Sequence, residues 1–452
     1  MSMFNSKNGV MPAMLALTAC AGLTFADGWR YDGSGRYPNA TPVLNWGKET
    51  NIVWSKAIAD WSNASPLPVG NRLFVQSERA VLLCLDVTTG SIIWSQTNDY
   101  SQVLTPEAFA ELQRGESLQN RVLDATRRLQ SDPGNITLYG PVTDLCREVL
   151  SDPRNTNAFA AVQQYRLPPT HGETGYSTPT PVSDGKAVFV LTALGTAARY
   201  DLDGKRQWIR FIRKPSRGWG QSASPALADG KMLIHIDDML VAISTETGET
   251  VWTVKGASSH GSPVVVKPGK ETFVYTTGGD LIRLSDGTCA ASKIAGTPFN
   301  APIVDGDCIY TVEENGAVAF RLTPGPSNTV AAVKLWDAKP SRNRYYSSPV
   351  LENGLLYVLN AGGILSVIDI KDGSVAYEKK LELDGTAYPS LCLAGGKLFA
   401  SSDSGTTVVL EPGREYRELA RNNLGEGFRS TPYFAGNRIL IRGAKKVYCI
   451  GN

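Results

Sequence analysis

The chain has 452 residues, a formal net charge of +2 at pH 7 and no long run of basic residues. This balance excludes the class of nucleic-acid-binding proteins that depend on a clustered positive surface. The chain is too long for one small core, so it contains either several domains or one array of repeats. Its 44 Gly and nine Trp, with many short apolar runs, favour an all-β protein rich in turns.

The first predicted element is an export signal, residues 1–26. Lys7 precedes an apolar stretch and a run of small residues that is too short for a membrane span. Two processing sites compete: a lipobox-like Leu-Thr-Ala-Cys sequence ends at Cys20, which would carry lipid, and a Thr-Phe-Ala sequence suits cleavage before Asp27. Both alternatives predict an exported protein, in the periplasm or associated with the outer membrane.

Residues 47–452 form an array of repeats with strand and turn residues. Each repeat contains four short apolar runs joined by turns with Gly, Asn or Asp, which tolerate the positive φ of hairpin turns. A spacing of about 40–45 residues with this chemistry predicts an all-β, eight-bladed β-propeller of four-stranded blades. The repeats are marked by Ser65-Pro66, Thr178-Pro179, Ser224-Pro225, Ser262-Pro263, Ala301-Pro302, Ser348-Pro349, Tyr388-Pro389 and Thr431-Pro432.

The outermost strand of most repeats carries an aromatic residue, often four positions after a Gly. A wide ring at this position can lie across a neighbouring blade and bury a large apolar area. We therefore interpret these residues as structural docking residues and not as a cofactor stack. They are Trp54, Trp94, Trp208, Trp252, Trp336 and Tyr377.

The last repeat stops after its third strand, and the array begins with a lone strand at residues 51–58. We predict that this N-terminal strand completes the eighth blade and closes the propeller. Such closure removes an open sheet edge, which would otherwise be free to pair with another chain.

Residues 101–168 interrupt the repeat spacing between the first and second blades. Thr105-Pro106-Glu107 is typical of a helix start, and apolar residues recur after it with helical spacing. We predict a small insertion of about three helices on one face of the propeller. Insertions of this kind either contact a partner or cover the blade surface.

The repeats resemble the tryptophan-docking repeat of propellers of the pyrroloquinoline quinone (PQQ) type. Cys84-x-Asp86-x-x-x-Gly90-x-x-x-Trp94 is similar to the family pattern Ala-x-Asp-x-x-x-Gly-x-x-x-Trp. The resemblance covers residues 29–452 except the helical insertion. It implies one of two functional branches: PQQ-dependent dehydrogenases of alcohols and sugars, or non-catalytic scaffolds such as the outer-membrane assembly lipoprotein BamB.

The dehydrogenase branch implies a calcium site, a general-base Asp, a Trp platform under the quinone and, in many members, adjacent cysteines. This chain has no adjacent cysteines and no Cys-x-x-Cys-His sequence, and no set of calcium ligands is evident. We therefore predict no catalytic residues, no metal and no cofactor. The alternative is a dehydrogenase that uses PQQ and calcium.

Aromatic and polar residues recur just before each residue–Pro pair, where the chain crosses toward the innermost strand. Together they would surround one mouth of the central channel and suit a peptide or a small ligand, unless they only pack the loops there. The candidate binding residues are Trp61, Asn63, Tyr176, Trp219, Gln221, His260, Tyr346 and Arg429.

The sequence thus predicts an exported, monomeric, non-catalytic propeller that binds a protein or peptide of the bacterial envelope. It predicts no nucleic-acid partner and no membrane contact other than a lipid on Cys20. A third hypothesis is an envelope carbohydrate-binding protein, because aromatic residues at a channel mouth also suit sugar rings.

Overall fold

The structure, a computed structural model, describes residues 28–256, 260–325 and 329–452. The export signal, Cys20 and both processing sites lie outside the described residues. Eight four-stranded antiparallel sheets are arranged as blades around a channel, which confirms the predicted eight-bladed β-propeller. Within the described part of the chain, no helix has the length and apolar character needed to cross a membrane.

The strands of each blade follow one another in the chain from the channel outward, except at the two chain ends. Two strands precede the first blade: β1 (Arg36–Tyr37) and β2 (Ile52–Ala57). Blades 1 and 2 contain β3 (Leu67–Val69), β4 (Arg72–Ser77), β5 (Val81–Asp86), β6 (Ile92–Thr97), β7 (Val182–Ser183), β8 (Ala187–Leu191), β9 (Thr196–Asp201) and β10 (Arg206–Phe211). Blades 3 and 4 contain β11 (Ala226–Ala228), β12 (Lys231–Ile236), β13 (Met239–Ser244), β14 (Thr250–Lys255), β15 (Val264–Val266), β16 (Phe273–Tyr275), β17 (Leu281–Arg283) and β18 (Cys289–Ala291).

The second half of the propeller repeats this arrangement. Blades 5 and 6 contain β19 (Ile303–Asp305), β20 (Cys308–Glu313), β21 (Gly316–Pro324), β22 (Val330–Ala338), β23 (Val350–Glu352), β24 (Leu355–Leu359), β25 (Ile364–Asp369) and β26 (Val375–Lys380). Blades 7 and 8 contain β27 (Cys392–Ala394), β28 (Lys397–Ser401), β29 (Thr406–Leu410), β30 (Glu418–Asn423), β31 (Tyr433–Ala435), β32 (Arg438–Arg442) and β33 (Lys446–Ile450).

The central strands of the blades are buried on both faces because neighbouring blades cover them. All five residues of β8, of β24 and of β29 are buried. This burial explains why these strands appear in the sequence as continuous apolar runs and not as alternating patterns. The outer strands β6 and β26 are exposed or half-buried along their length, and they carry most of the polar residues.

The N-terminal strand closes the propeller in the way that the sequence predicts. Strand β2 pairs antiparallel with β33, with Ile52 opposite Ile450 and Trp54 opposite Cys449. The eighth blade therefore contains both ends of the repeat array. Because its outer strand comes from the start of the array, the propeller opens at this blade only if a complete sheet ladder breaks.

Five indole rings on the outer strands hold consecutive blades together. Trp94 Nε1 donates to the Leu202 carbonyl of blade 2 at 3.2 Å, and the indole covers Gly204, where a Cβ would lie 2.8 Å from the ring. The Gly of the motif thus receives the ring of the preceding blade, and the Trp four residues later docks on the next blade. The other four rings, with the Gly that each covers, are Trp54 on Gly90, Trp208 on Gly248, Trp252 on Gly287 and Trp336 on Gly373. Tyr377, in blade 6, is half-buried and packs against the apolar cluster shared by blades 6 and 7.

The helical insertion lies between β6 and β7, as predicted, and it contains three α-helices. Its first helix begins after Thr105, whose Oγ1 accepts the Ala108 N–H at 3.2 Å. The rings of Tyr100, Tyr165 and Phe211 pack together with centroids 5.3–5.7 Å apart, which attaches the insertion to the outer strand of blade 2. The helices are α1 (Pro106–Ser131), α2 (Tyr139–Ser151) and α3 (Pro153–Tyr165), with short 3-10 turns at Tyr100–Gln102 and Ile136–Leu138.

A segment that the sequence analysis left unassigned enters the central channel. We call residues 28–37 the axial segment. Its strand β1 pairs parallel with β27, the inner strand of blade 7, with Arg36 opposite Leu393. Before β1 the chain makes a tight turn, in which Gly28 and Tyr31 exchange backbone hydrogen bonds of 2.9 and 3.1 Å. The propeller axis is therefore filled by the protein's own backbone.

Arg30 anchors the axial segment to the blades. Its side chain is 1% exposed, and its guanidinium donates to the carbonyl oxygens of Pro349 and Leu391, at the inner edges of blades 6 and 7. The same group donates to the carbonyls of Gly33 and Ser34 within the segment. Burial lowers the pKa of this guanidinium, because the charged form loses its contact with water.

Candidate functional site

The inner strands begin at a belt of hydroxyl residues that encircles the channel. The backbone N–H of one belt residue donates to the side-chain oxygen of its counterpart in the next blade, in seven hydrogen bonds of 2.9–3.0 Å. This hydroxyl belt explains why Ser and Thr recur at the repeat markers. Its positions, in blade order, are Ser65, Thr180, Ser224, Ser262, Ala301, Ser348, Ser390 and Thr431, and Ala301 alone has no hydroxyl to offer.

The hydroxyl belt corrects the repeat alignment in two blades. In blade 2 the belt residue is Thr180 and not Thr178, because the sequence there holds two Thr-Pro pairs in succession. In blade 7 it is Ser390, which no Pro follows, and not Tyr388. The alignment on Pro was therefore two residues early in both blades.

The residues two positions before the hydroxyl belt form the rim of the channel mouth. All eight of them line one cavity of about 460 Å³. Trp29, in the turn of the axial segment, closes this cavity toward the channel, and Glu173, Trp219 and Arg344 extend its wall. We call the eight residues the mouth rim: Asn63, Thr178, Ser222, His260, Phe299, Tyr346, Tyr388 and Arg429.

Five of the eight candidate binding residues line this cavity: Asn63, Trp219, His260, Tyr346 and Arg429. The structure does not bring the other three to it. Tyr176 turns away and donates to the Pro168 carbonyl at 3.1 Å, and Gln221 is fully buried and donates to the His235 carbonyl at 2.6 Å. Trp61 lies over Gly175, outside the cavity.

Sequence reasoning missed Trp29, Thr178 and Tyr388 as cavity residues. Thr178 and Tyr388 follow from the corrected alignment, because each stands two positions before its belt residue. An alignment on the first residue of each inner strand, in place of Pro, would have found both. The sequence carries no repeat signal for Trp29, which lies in the axial segment.

Four rings of the mouth rim form a continuous aromatic ladder, from His260 through Phe299 and Tyr346 to Tyr388. Their successive centroid distances are 6.0, 5.6 and 4.8 Å, and the last pair is stacked with 21° between the ring planes. The Arg429 guanidinium continues the ladder, 4.7 Å from the centre of the Tyr388 ring. The two stacked pairs, His260 with Phe299 and Tyr346 with Tyr388, thus each cover one face of both their rings.

The two arginines of the mouth differ in their charge partners. Arg429 forms ion pairs with Glu173 at 3.2 Å and with Asp403 at 3.4 Å. Arg344 lies 5.8 Å from the centre of the Phe299 ring and donates to the Tyr346 hydroxyl at 3.3 Å. Among the described residues Arg344 forms no ion pair with a carboxylate, although the Glu314 carboxylate is near enough to interact with its charge.

The cavity residues do not fit a quinone held with calcium. Among the described residues that line the cavity, Glu173 is the single carboxylate, and it is already paired with Arg429. Calcium prefers several oxygen ligands, among them carboxylates. Across residues 28–256, 260–325 and 329–452, no group of three or more His, Cys, Asp and Glu side chains could hold a metal ion.

His235 lies behind the mouth and is fully buried, with Nδ1 2.8 Å from the Gly261 carbonyl. Burial lowers its pKa to about 4, because the imidazolium would lose its hydration. The unfolded chain therefore binds a proton below about pH 6.5 that the folded chain does not bind until about pH 4.

We expect the free energy of unfolding to fall as the pH decreases from 6.5 to 4, with His235 contributing up to ~1.4 kcal/mol per pH unit. Urea unfolding at a series of pH values measures this slope. His235→Asn keeps a donor toward Gly261 and should remove this part of the slope. An unchanged slope in the variant would contradict the assignment to His235.

Comparison with known proteins identifies one family that resembles the chain over most of its length. The model of the family "outer membrane protein assembly factor BamB" matches residues 40–130 and 237–415. The BamB protein of Salmonella typhimurium is 24% identical over 430 residues, which are 89% of this chain and 98% of that protein. The BamB protein of Escherichia coli K12 is 27% identical over 209 residues, 43% of this chain and 51% of that protein.

Solved structures share the fold at low sequence identity. The crystal structure of BamB from Moraxella catarrhalis has a TM-score of 0.57 and 11% identity, and covers 89% of this chain and 97% of that one. A europium-containing methanol dehydrogenase has the same TM-score and identity, and covers 94% and 98%. The fold alone thus does not separate a scaffold from an enzyme, but the family model does assign the sequence: the chain belongs to the family of the outer membrane protein assembly factor BamB.

Proposed function

We propose that the protein is a non-catalytic scaffold of the bacterial envelope that takes part in outer membrane protein assembly through a protein or peptide partner. The observation that carries the proposal is the mouth rim, where all eight blades bring a side chain to one cavity. Its aromatic and Arg residues are types that anchor protein contacts. The names of the related proteins support the assembly role.

The cavity is suited to a few side chains of a partner. Its volume of about 460 Å³ lies in the range of ligand pockets and far below that of a domain. Trp219, 60% exposed at its edge, offers an apolar face to anything that covers the mouth. We infer that a peptide segment or a loop enters the cavity while the rest of the partner lies on the rim.

The aromatic ladder favours a peptide over a sugar. Sugar rings stack on the faces of aromatic side chains, and the faces of Tyr346 and Tyr388 are covered by each other and by Arg429. Under the carbohydrate hypothesis a sugar ring would therefore stack mainly on Trp219. The centres of the Trp219 and His171 rings are 4.3 Å apart, so His171 already covers one face of that indole.

Replacing both Trp219 and Tyr346 with Ala should reduce capture of the partner from envelope extract at least about tenfold, because each substitution removes one aromatic ring that would anchor the partner. The measurement is crosslinking and mass spectrometry with the purified protein as bait. The matched control is Val333→Ala, an exposed side chain on the outer strand of blade 5, which should leave capture unchanged. Equal capture by the double variant would contradict the mouth as the contact surface.

The dehydrogenase alternative is tested separately. Purified protein is mixed with PQQ and calcium, and reduction of an artificial electron acceptor is followed with a panel of alcohols and sugars. Our proposal expects no turnover above that of the cofactor mixture alone. Clear turnover that the double variant abolishes would overturn the scaffold assignment.

A further inference from the structure

The cavity is lined by hydrogen-bond donors that have no acceptor. Each hydroxyl of the belt accepts a backbone N–H, and within the described residues none of these hydroxyls donates its own proton to the protein. A hydroxyl can accept and donate at once, so these protons are available to a ligand. The belt hydroxyls that line the cavity belong to Ser65, Thr180, Ser224, Ser262, Ser390 and Thr431.

The aromatic ladder adds to this excess of donors. The edges of aromatic rings carry partial positive charge, and the four rings of the ladder line the cavity. The Tyr346 hydroxyl accepts from Arg344, which leaves its own proton free to point into the cavity. Arg344 itself carries a full charge and forms no ion pair with a carboxylate among the described residues; its electrostatic interaction with Glu314 is not a direct contact. The cavity therefore favours an anionic ligand rich in acceptors.

One acceptor in the lining is also unoccupied. Asn300 is 3% exposed, and its Nδ2 donates to the carbonyls of Val312 and Tyr345 at 3.0 and 2.8 Å. These two bonds fix the amide, and its Oδ1 is buried without a hydrogen-bond partner in the described structure. A buried acceptor of this kind costs about 1–3 kcal/mol unless a donor reaches it. Because the Oδ1 atom has almost no accessible surface, a ligand N–H would reach it only if neighbouring side chains moved, and anion binding by the cavity does not depend on it.

We propose that the mouth cavity binds a carboxylate carried by a peptide. Arg344 and the belt hydroxyls receive the carboxylate oxygens. The source of the carboxylate is either a free C-terminus or an Asp or Glu side chain. This inference rests on the proposed function, in which the mouth contacts a protein partner, and it specifies the chemistry of the contact.

The test measures the binding of short synthetic peptides by calorimetry. One Gly-rich peptide with a single Phe is prepared in four versions. The first has a free C-terminus, and the other three have an amidated C-terminus. Of these three, one has no charged side chain, one has an internal Glu and one has an internal Lys. We expect either the free-acid or the Glu peptide to bind about tenfold or more tightly than the neutral amide, the effect of one charge-assisted hydrogen bond pair. Which of the two binds more tightly identifies the source of the carboxylate.

Arg344→Gln should lower the affinity for the preferred peptide to that for the neutral amide. The matched control is Arg342→Gln, because Arg342 is 78% exposed, pairs with Glu314 and does not line the cavity. Equal binding of acidic and neutral peptides, tighter binding of the Lys peptide, absence of binding by all four, or an unchanged Arg344→Gln variant would each overturn the inference.

The two proposals fail in different ways. If the Trp219 and Tyr346 variant loses its envelope partner but no peptide shows a carboxylate preference, the scaffold function stands and the carboxylate inference is wrong. If acidic peptides bind through Arg344 but envelope capture does not depend on the mouth, the cavity chemistry is right and the scaffold proposal is wrong.

Discussion

Replacing Gly204 with Ala should lower the free energy of unfolding by about 3 kcal/mol, the sum of two effects. The residue has φ of +91°, where an L-residue is strained by about 1–2 kcal/mol. The new Cβ would also lie 2.8 Å from the Trp94 ring, and displacing a packed ring costs about 1–3 kcal/mol. Urea unfolding followed by the near-ultraviolet signal of the indoles measures the change.

The matched control for this prediction is Gly185→Ala. Gly185 belongs to the same blade and has φ of +82°, but a Cβ there would meet nothing within 4 Å. The control should therefore show the backbone strain alone, about 1–2 kcal/mol. Equal losses in the two variants would contradict the view that Trp94 docking on Gly204 holds blades 1 and 2 together.

Arg30→Met should lower the free energy of unfolding by about 2–4 kcal/mol and release the axial segment. The substitution removes the donors to the Pro349 and Leu391 carbonyls, and a buried carbonyl left without a partner costs about 1–3 kcal/mol. The folded protein no longer has to bury the charge of Arg30, which recovers part of the desolvation cost. The net loss of stability is therefore smaller than the sum over the four hydrogen bonds that the guanidinium donates. Urea unfolding gives the stability, and limited proteolysis shows whether residues 28–37 become accessible.

Arg36→Met serves as the control for the axial segment. Its side chain is 52% exposed and pairs with Glu352 at 2.8 Å, so that its loss should cost less than about 1 kcal/mol. Unchanged stability and protease resistance in Arg30→Met would show that the segment is held in the channel by β1 alone.

The blade count and the closure were predictable because each blade repeats the same local chemistry. The Gly-to-Trp spacing of Gly90 and Trp94 reflects a contact that five of the eight blades make with the next blade, so the pattern recurs in the sequence. The strand that carries Trp54 precedes the first blade and has no neighbouring strands in the sequence. Such a strand must pair with another sheet, and the incomplete eighth repeat was the sheet that lacked its outer strand.

The axial segment was not predictable because its contacts are unique and distant. Arg30 binds carbonyls that stand 319 and 361 residues further along the chain. Backbone carbonyls occur at every residue, so no sequence pattern indicates which of them Arg30 will reach. Trp29, which this segment carries into the cavity, was hidden for the same reason.

The candidate site was predicted in part because the Pro residues are only an approximate marker of the inner strands. The position that the blades share is the hydroxyl that accepts a neighbour's N–H, and in blade 7 Ser390 fulfils this role without a Pro. The two-residue error placed Tyr176 at the mouth in place of Thr178, and it left Tyr388 out of the set.

The gap in the hydroxyl belt at Ala301 has a consequence for the local stability of the propeller. At Ala301 the Ser262 N–H meets no hydroxyl, and the outer strand of blade 4 has Ala291 where five of the eight blades carry a docking indole. Blade 5 compensates with a long hairpin whose strand β22 packs against β18. Among the described residues, the contact between the fourth and fifth blades thus lacks both a belt hydrogen bond and a docking indole, and it depends on apolar packing. We therefore expect local opening of the propeller to begin there, and not at the blade that joins the two ends of the array.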